Sequence, residues 1–214
     1  MAAAPNLREL KKQRTRDALL RVALELFTTQ GFDRTTVDEI TAACEISQRT
    51  FFRYFANKEE AAFAVQEMVE AGFIEGLRQR PPGESPLEAL RGTLLDTWDA
   101  MNRSVEEVVP VELHMRAYQM IESTPSLLAT HLRRSMELEE QAARVIAERE
   151  GLDVHTDPRP RVLVAAFGGV LRMTGHLWGA GGDPSIDAIR ALTESYLDHL
   201  KPALGEQWCD DDTE

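Results

Sequence analysis

Between Ser47 and Phe55 the chain reads SQRTFFRYF, and the polar members of this run are groups that read nucleic-acid base edges. Arg49 and Arg53 carry guanidinium forks that match guanine, Gln48 carries an amide that matches adenine, and Thr50 adds a hydroxyl. No acid interrupts them. If the run is helical, Phe51 and Phe55 lie four apart and share an inward face, which throws Gln48, Arg49, Phe52 and Arg53 to the other side. A short helix of that composition suits the major groove of duplex DNA.

The flanking sequence supplies the elements that would hold it. Ser47 can cap a helix starting at Gln48. Thr36 and Glu39 have the spacing of a capping box, in which each side chain satisfies the other's orphan amide. Val37, Ile40, Ala43 and Ile46 are the apolar positions of a first helix over 37–43 and of the turn after it. A longer helix precedes, from Glu9 to Gln30, with Leu19, Val22, Ala23, Leu26 and Phe27 at helical spacing and Gly31 as its stop. Asn57, with Glu60 three residues on, starts a fourth helix that runs to Gln79 and halts before Pro81-Pro82-Gly83.

This pattern resembles the helix-turn-helix of TetR-family transcriptional regulators. The matching residues are Gly31-Phe32, Thr35-Thr36-Val37, Ile40, Ala43, Ile46-Ser47, Thr50 to Phe55, and Lys58-Glu59. The resemblance covers roughly residues 10–70 and implies an all-α fold: an N-terminal three-helix DNA-binding domain (9–70) and a C-terminal helical bundle (71–204) for ligand binding and dimerisation, about nine helices in all. It implies base contacts from Gln48, Arg49, Thr50 and Arg53. It also implies phosphate contacts from Thr36, Phe52 or Tyr54 edges and Lys58, with Ser47 at the head of the recognition helix. Members often have glycine where this chain has Glu45, and tyrosine where it has Phe52. A left-handed Glu45 would cost about 1 kcal/mol.

The net charge of −12 argues at first against nucleic acid, but it is unevenly distributed. Residues 1–60 carry +1 and the remainder −13, and Arg8, Lys11, Lys12, Arg14, Arg16 and Arg21 fall within fourteen residues. Basic charge therefore sits at the N-terminal end, where a DNA-facing surface needs it, and the acidic remainder should face away. No apolar run spans a bilayer, the N-terminal MAAAPNLRELKKQR lacks a secretory core, and the two cysteines, Cys44 and Cys209, lie far apart. A cytoplasmic protein without a disulfide framework is expected.

The remaining helices have clear starts. Ser85-Pro86 with Glu88 opens one carrying Leu87, Leu90, Leu94, Trp98 and Met101. A helix over about 106–122 follows, its start open to Pro110. Thr124-Pro125 opens one that ends at Gly151, Asp157-Pro158 one to Trp178, and Asp183-Pro184 or Ser185 one to Leu204. The 158–178 helix is apolar nearly all round, and Gly168, Gly169 and Gly175 permit close approach. The resemblance implies a homodimer held by the 158–178 and 185–204 helices. Trp98, Met101, Met115, Tyr118, Phe167, Met173 and His176 are candidates to line a cavity for a small-molecule effector, with Arg116 or Arg172 for an anionic group. Residues 115–150 resemble regulators tied to redox-peptide and acyl-CoA metabolism, without specifying a ligand.

Nothing signals catalysis or a cofactor. The histidines (His114, His131, His155, His176 and His199) show no compact metal-ligand spacing, and the glycine run at 179–182 follows a helix rather than a strand. The expectation is a DNA-binding regulator, a repressor released from a near-palindromic operator by a ligand. The rivals are a helical module that binds only ligand or protein, and an enzyme on a helical bundle.

Overall fold

Helix starts and stops follow local capping chemistry in the computed structural model, which describes residues 7–104, 108–181 and 183–205. The helices are α1 (Leu7–Gln30), α2 (Val37–Ala43), α3 (Gln48–Phe52), α4 (Lys58–Gln79), α5 (Pro86–Ser104), α6 (Val111–Ser123), α7 (Pro125–Glu150), α8 (Arg159–Gly179), α9 (Ile186–Asp198) and α10 (Leu200–Gly205). No strand occurs among the described residues, and no helix there is long and apolar enough to cross a membrane. Cys209, the second cysteine, lies outside the described residues.

The caps are specific. Thr36 Oγ1 accepts from the Glu39 amide at 3.2 Å while the Glu39 carboxylate accepts from the Thr36 amide at 2.8 Å, which fixes the start of α2. The Thr36 amide and then its hydroxyl, both donating to that carboxylate, hold the Glu39 carboxyl below its ordinary range. Asn57 Oδ1 accepts from the Glu60 amide at 2.7 Å at the head of α4. Ser85 and Glu88 form the same reciprocal box before α5, at 2.9 and 3.4 Å. One expected helix is broken: 185–204 divides at His199 into α9 and α10. Pro202 explains the break, because its ring lacks an amide and clashes with the carbonyl four residues back, Asp198.

The chain forms two compact units. The first contains residues 1–71 and 99–130, so it takes in α6 and the first turns of α7 besides the helix-turn-helix. Its core is built on Leu19, Leu20, Ala23, Leu24 and Phe27 of α1, with Ile40, Phe51, Phe55 and Phe63. The α1 face is rotated slightly from the expected stripe: Leu20 and Leu24 are fully buried and Val22 and Leu26 only partly. Helix α1 packs on α2 and α6, and the Arg21 guanidinium donates to the Val108 carbonyl at 3.2 Å. Ser126 at the head of α7 donates to Asp33 at 2.9 Å.

His114 on α6 is buried, and burial alone pushes its pKa from the ordinary 6.5 down to about 4. The folded state therefore prefers neutral imidazole. Its contribution is fully present above pH 6.5 and is lost as pH falls toward 4, because the unfolded chain binds the proton first. The loss should approach about 3 kcal/mol. Denaturant titrations of wild type and His114→Gln between pH 7 and 4 should show a shallower pH slope for the variant; equal slopes would refute this.

The second unit contains residues 72–98 and 131–214, with α8 packed on α9 and α10. Arg149 donates to the Arg80 and Pro81 carbonyls at 2.7 and 2.9 Å, tying the proline turn after α4 to α7. Thr193 and Thr174 hydroxyls meet at 3.0 Å between α9 and α8. Gly168 lies inside this unit, where an added Cβ would collide with the Glu139 carboxylate, which pairs with Arg172. Gly175 is buried as well. It is Gly169 that faces open space, its nearest possible contact being Arg172 at 3.9 Å.

Candidate nucleic-acid interface

Helix α3 is held from both ends and from beneath. Ser47 Oγ accepts from the Thr50 amide at 3.3 Å and meets the Thr50 hydroxyl at 3.0 Å. Phe51 and Phe55 are buried with ring centroids 5.6 Å apart. The outward face carries Gln48, Arg49, Phe52 and Arg53, all exposed. Phe52 is 50% exposed, which for a large ring gives an apolar surface available to a thymine methyl or a sugar.

The turn before α3 is a Schellman motif. The Ile46 amide donates to Thr41 O at 3.0 Å and the Glu45 amide to Ala42 O at 3.1 Å, with Glu45 at φ 54. Glu45 is the only non-glycine residue with positive φ among those described. Replacing it with glycine should raise stability by about 0.5–1 kcal/mol, since glycine tolerates this conformation but also widens the unfolded ensemble. A Glu45→Val variant should be destabilised instead. Urea midpoints compare the three; a valine variant as stable as wild type would contradict the motif.

The outward side chains differ in what already engages them. Gln48 Nε2 donates to Asp38 on α2, leaving one amide proton and the carbonyl oxygen for a base. Arg53 stacks on the Tyr54 ring at 5.0 Å and donates to its hydroxyl at 3.3 Å. Arg49 makes no hydrogen bond or ion pair with any described residue, so its full guanidinium fork is available. Thr36 is exposed, but its hydroxyl serves the capping box.

Lys58, expected on phosphate, already has partners within its own unit. Its ammonium donates to the Phe32 and Thr35 carbonyls at 2.9 and 3.2 Å and lies 4.2 Å from the Phe32 ring centroid. Two of its three donors thus join α4 to the α1–α2 turn. Lys58→Met should cost about 1.5–3 kcal/mol, the range for charge-assisted bonds, and should leave the salt dependence of DNA binding unchanged. A salt slope flattened by about 0.9 with normal stability would restore the phosphate role.

Residues 19–65 match the profile described as bacterial regulatory proteins, tetR family, and residues 84–205 match that of the MftR C-terminal domain. The HTH-type transcriptional regulator TcmR of Streptomyces glaucescens is 44% identical over 204 residues, covering 95% of this chain and 90% of TcmR. The chain belongs to the TetR family. It is a helix-turn-helix transcriptional regulator of that family. The putative mycofactocin biosynthesis regulator MftR of Mycobacterium tuberculosis is 29% identical over 82% of this chain and 84% of its own. Among solved structures, a TetR-family regulator of Syntrophomonas wolfei superposes with TM-score 0.64 at 18% identity, covering 92% of this chain and 98% of that one. Thermus thermophilus FadR, a TetR-family repressor in complex with lauroyl-CoA, gives 0.55 at 22% identity over 93% and 100%. These structural likenesses show the shared TetR fold.

The candidate effector residues divide between the units. Met101, Met115, Arg116 and Tyr118 belong to the first, and Trp98, Phe167, Arg172, Met173 and His176 to the second. Trp98, Met101, Met115 and Phe167 are buried. Tyr118 is kept protonated by burial and by the Glu122 and Glu70 charges. Arg116 and His176 are exposed, and Met173 is 52% exposed. The last two lie on the side of α8 away from buried Phe167 and Thr174, so neither lines an interior cavity of its unit. Arg172 is paired with Glu139. A groove of about 500 Å³ in the second unit is lined by Pro86, Leu87, Pro158, Val162, Leu163 and Leu200 among others, and none of the expected effector residues lines it. Sequence reasoning also missed Asp38, whose partner stands ten residues away on another helix; an acid on the exposed first turn of α2, facing a polar α3, was the available signal.

Proposed function

We propose that this TetR-family protein binds a near-palindromic operator as a homodimer, each copy placing α3 in a major groove, and represses transcription until a small molecule releases it. The reading assigns DNA binding to residues 9–70, and effector binding and dimerisation to 71–204. It takes the protein to act in the cytoplasm, without catalysis. The observation that carries it is the acid-free outer face of α3, where Arg49 is exposed and unengaged on a capped, aromatic-backed helix. Gln48 and Arg49 would read bases, and Thr50 is close behind them. Arg53, Phe52 and Tyr54 border the same face.

Dimerisation is supported by an apolar stripe on α8. Val162, Ala165, Met173, His176 and Leu177 are exposed, with Ala166 and Gly169 between them at helical spacing. Val162 is 66% exposed and Leu177 42%, high values for residues of this type on one helix face. On α9, Ala191, Ser195 and Tyr196 are exposed as well. An effector releases DNA only by preferring the conformation that cannot bind, with a coupling of about 1–3 kcal/mol. Selection of binding sites from random duplexes by the purified protein tests the operator. Two half-sites about 34–36 Å apart, or a multiple of that, are expected; no enriched sequence would count against the reading. Melting in the presence of a broad metabolite panel tests for the effector, and an accompanying loss of operator affinity is required of any hit.

A further inference from the structure

A side-chain amide reads different bases according to which of its two ends faces the groove. For Gln48 that choice is made by α2. Its Nε2 donates to the Asp38 carboxylate, although the two residues are ten apart and on different helices. A carboxylate only accepts, so Asp38 can hold only the nitrogen end of the amide. The carbonyl oxygen and one amide proton are left for a base. Both helices are fixed without this bond. The Thr36–Glu39 box starts α2, the Ser47 cap starts α3, and the Glu45 and Ile46 amides close the turn between them. Phe51 is fully buried beneath α3. Asp38 and Gln48 are themselves exposed, where one hydrogen bond adds little to stability. Asp38 also stands in the first turn of α2, where an acid favours the helix N-terminus. That role asks for a charge and not for a partner on α3. What the bond fixes is the sense of one side chain on the acid-free outer face.

We propose that Asp38 is a positioning residue for sequence reading, which holds the Gln48 amide in one sense so that α3 selects adenine at the base Gln48 meets. This rests on the reading of α3 as the base reader. A carbonyl oxygen turned to the base needs a donor on the base edge. Adenine offers its N6 amino group, and its N7 accepts the remaining Gln48 proton. Cytosine offers the amino group alone and ranks second. Guanine presents O6 and N7 and thymine O4, so acceptor would face acceptor. An amide free to turn over would serve guanine from its nitrogen end, and the position would then accept either purine.

Asp38→Asn keeps the shape and reach of the side chain, but an amide both donates and accepts, so it no longer dictates which end of Gln48 it holds. The test is competition among operator duplexes that carry every base at every half-site position. It compares full-length wild type, Asp38→Asn, Gln48→Ala and the double variant, with melting as the check on folding. The lost charge shifts all duplexes together and cancels in each ratio. The informative position is the one where Gln48→Ala loses its preference. There, wild type should favour adenine over guanine by roughly fivefold to a hundredfold per half-site, and Asp38→Asn should bring the two within about threefold. Preference at the Arg49 position should stay at its wild-type value, and adding Asp38→Asn to Gln48→Ala should change no ratio. A wild type that favours guanine or thymine at the Gln48 position overturns the proposal while leaving the role of α3 intact. So does an Asp38→Asn variant with the wild-type ratio, or a Gln48→Ala variant that loses no preference. A loss spread over every position, Arg49's included, would make Asp38 a support of α2 and overturns it equally. A wild type without base preference at any position overturns both readings.

Discussion

Met173→Glu is expected to convert the proposed dimer to a monomer and, with it, to abolish operator binding at nanomolar protein. Met173 is half exposed in the C-terminal half of the α8 stripe that runs from Val162 to Leu177. On a twofold interface every substitution is made twice, so two carboxylates would be buried without partners. Each costs several kcal/mol, and a combined loss of at least about 4 kcal/mol corresponds to a thousandfold or more in dissociation constant. The monomer would keep one α3 and lose the second half-site. Folding should survive, because the side chain is solvent-facing in the single chain. Sedimentation velocity at micromolar concentration reads the outcome, and a variant that still sediments as a dimer moves the interface elsewhere. The glycine to probe is Gly169 rather than Gly168, since bulk at Gly168 would strike Glu139 within the same unit.

Arg49→Ala should cost about 1–3 kcal/mol per half-site and relax preference at one base pair in each. For two half-sites this is about 2–6 kcal/mol, a loss of roughly thirtyfold to twenty-thousandfold. Arg49 stands in the first turn of α3, beyond the Ser47 cap, where recognition helices meet base edges. Nothing in the described structure competes for its guanidinium, whereas Arg53 is stacked on Tyr54 and Gln48 is tied to Asp38. Discrimination between operator and scrambled duplex should therefore collapse while the salt slope changes little. Equal weakening on both duplexes would place Arg49 among the phosphate contacts.

Local chemistry was the most legible part of the sequence. Thr36 with Glu39, Ser47 with Thr50, Asn57 with Glu60 and Ser85 with Glu88 are interactions over three residues, and their bonds stand where the spacing put them. Phe51 and Phe55 follow from helical period alone. The strained turn at Glu45 was legible as a departure from the glycine of the family pattern. What periodicity does not encode is which neighbour covers a face. Lys58 finds carbonyls 23 and 26 residues away, and Gln48 finds Asp38 on another helix, so their occupation is a tertiary fact. For the same reason α8, apolar nearly all round, did not reveal that Phe167 and Gly168 are its inner side and Met173 and His176 its outer side. The effector set could not be sorted from the sequence because aromatic, methionine and arginine residues mark a helix surface equally well whether it faces a core, a partner or solvent.

The central claim is that two copies of α3 read one symmetric duplex. The most direct measurement is a stoichiometric titration of the selected operator with wild type and with Arg49→Ala, followed by fluorescence anisotropy at fixed salt. Two chains per symmetric duplex are expected, with the scrambled duplex bound far more weakly by wild type and the preference largely erased by Arg49→Ala. One chain per duplex, or a preference that survives removal of the Arg49 guanidinium, would contradict it.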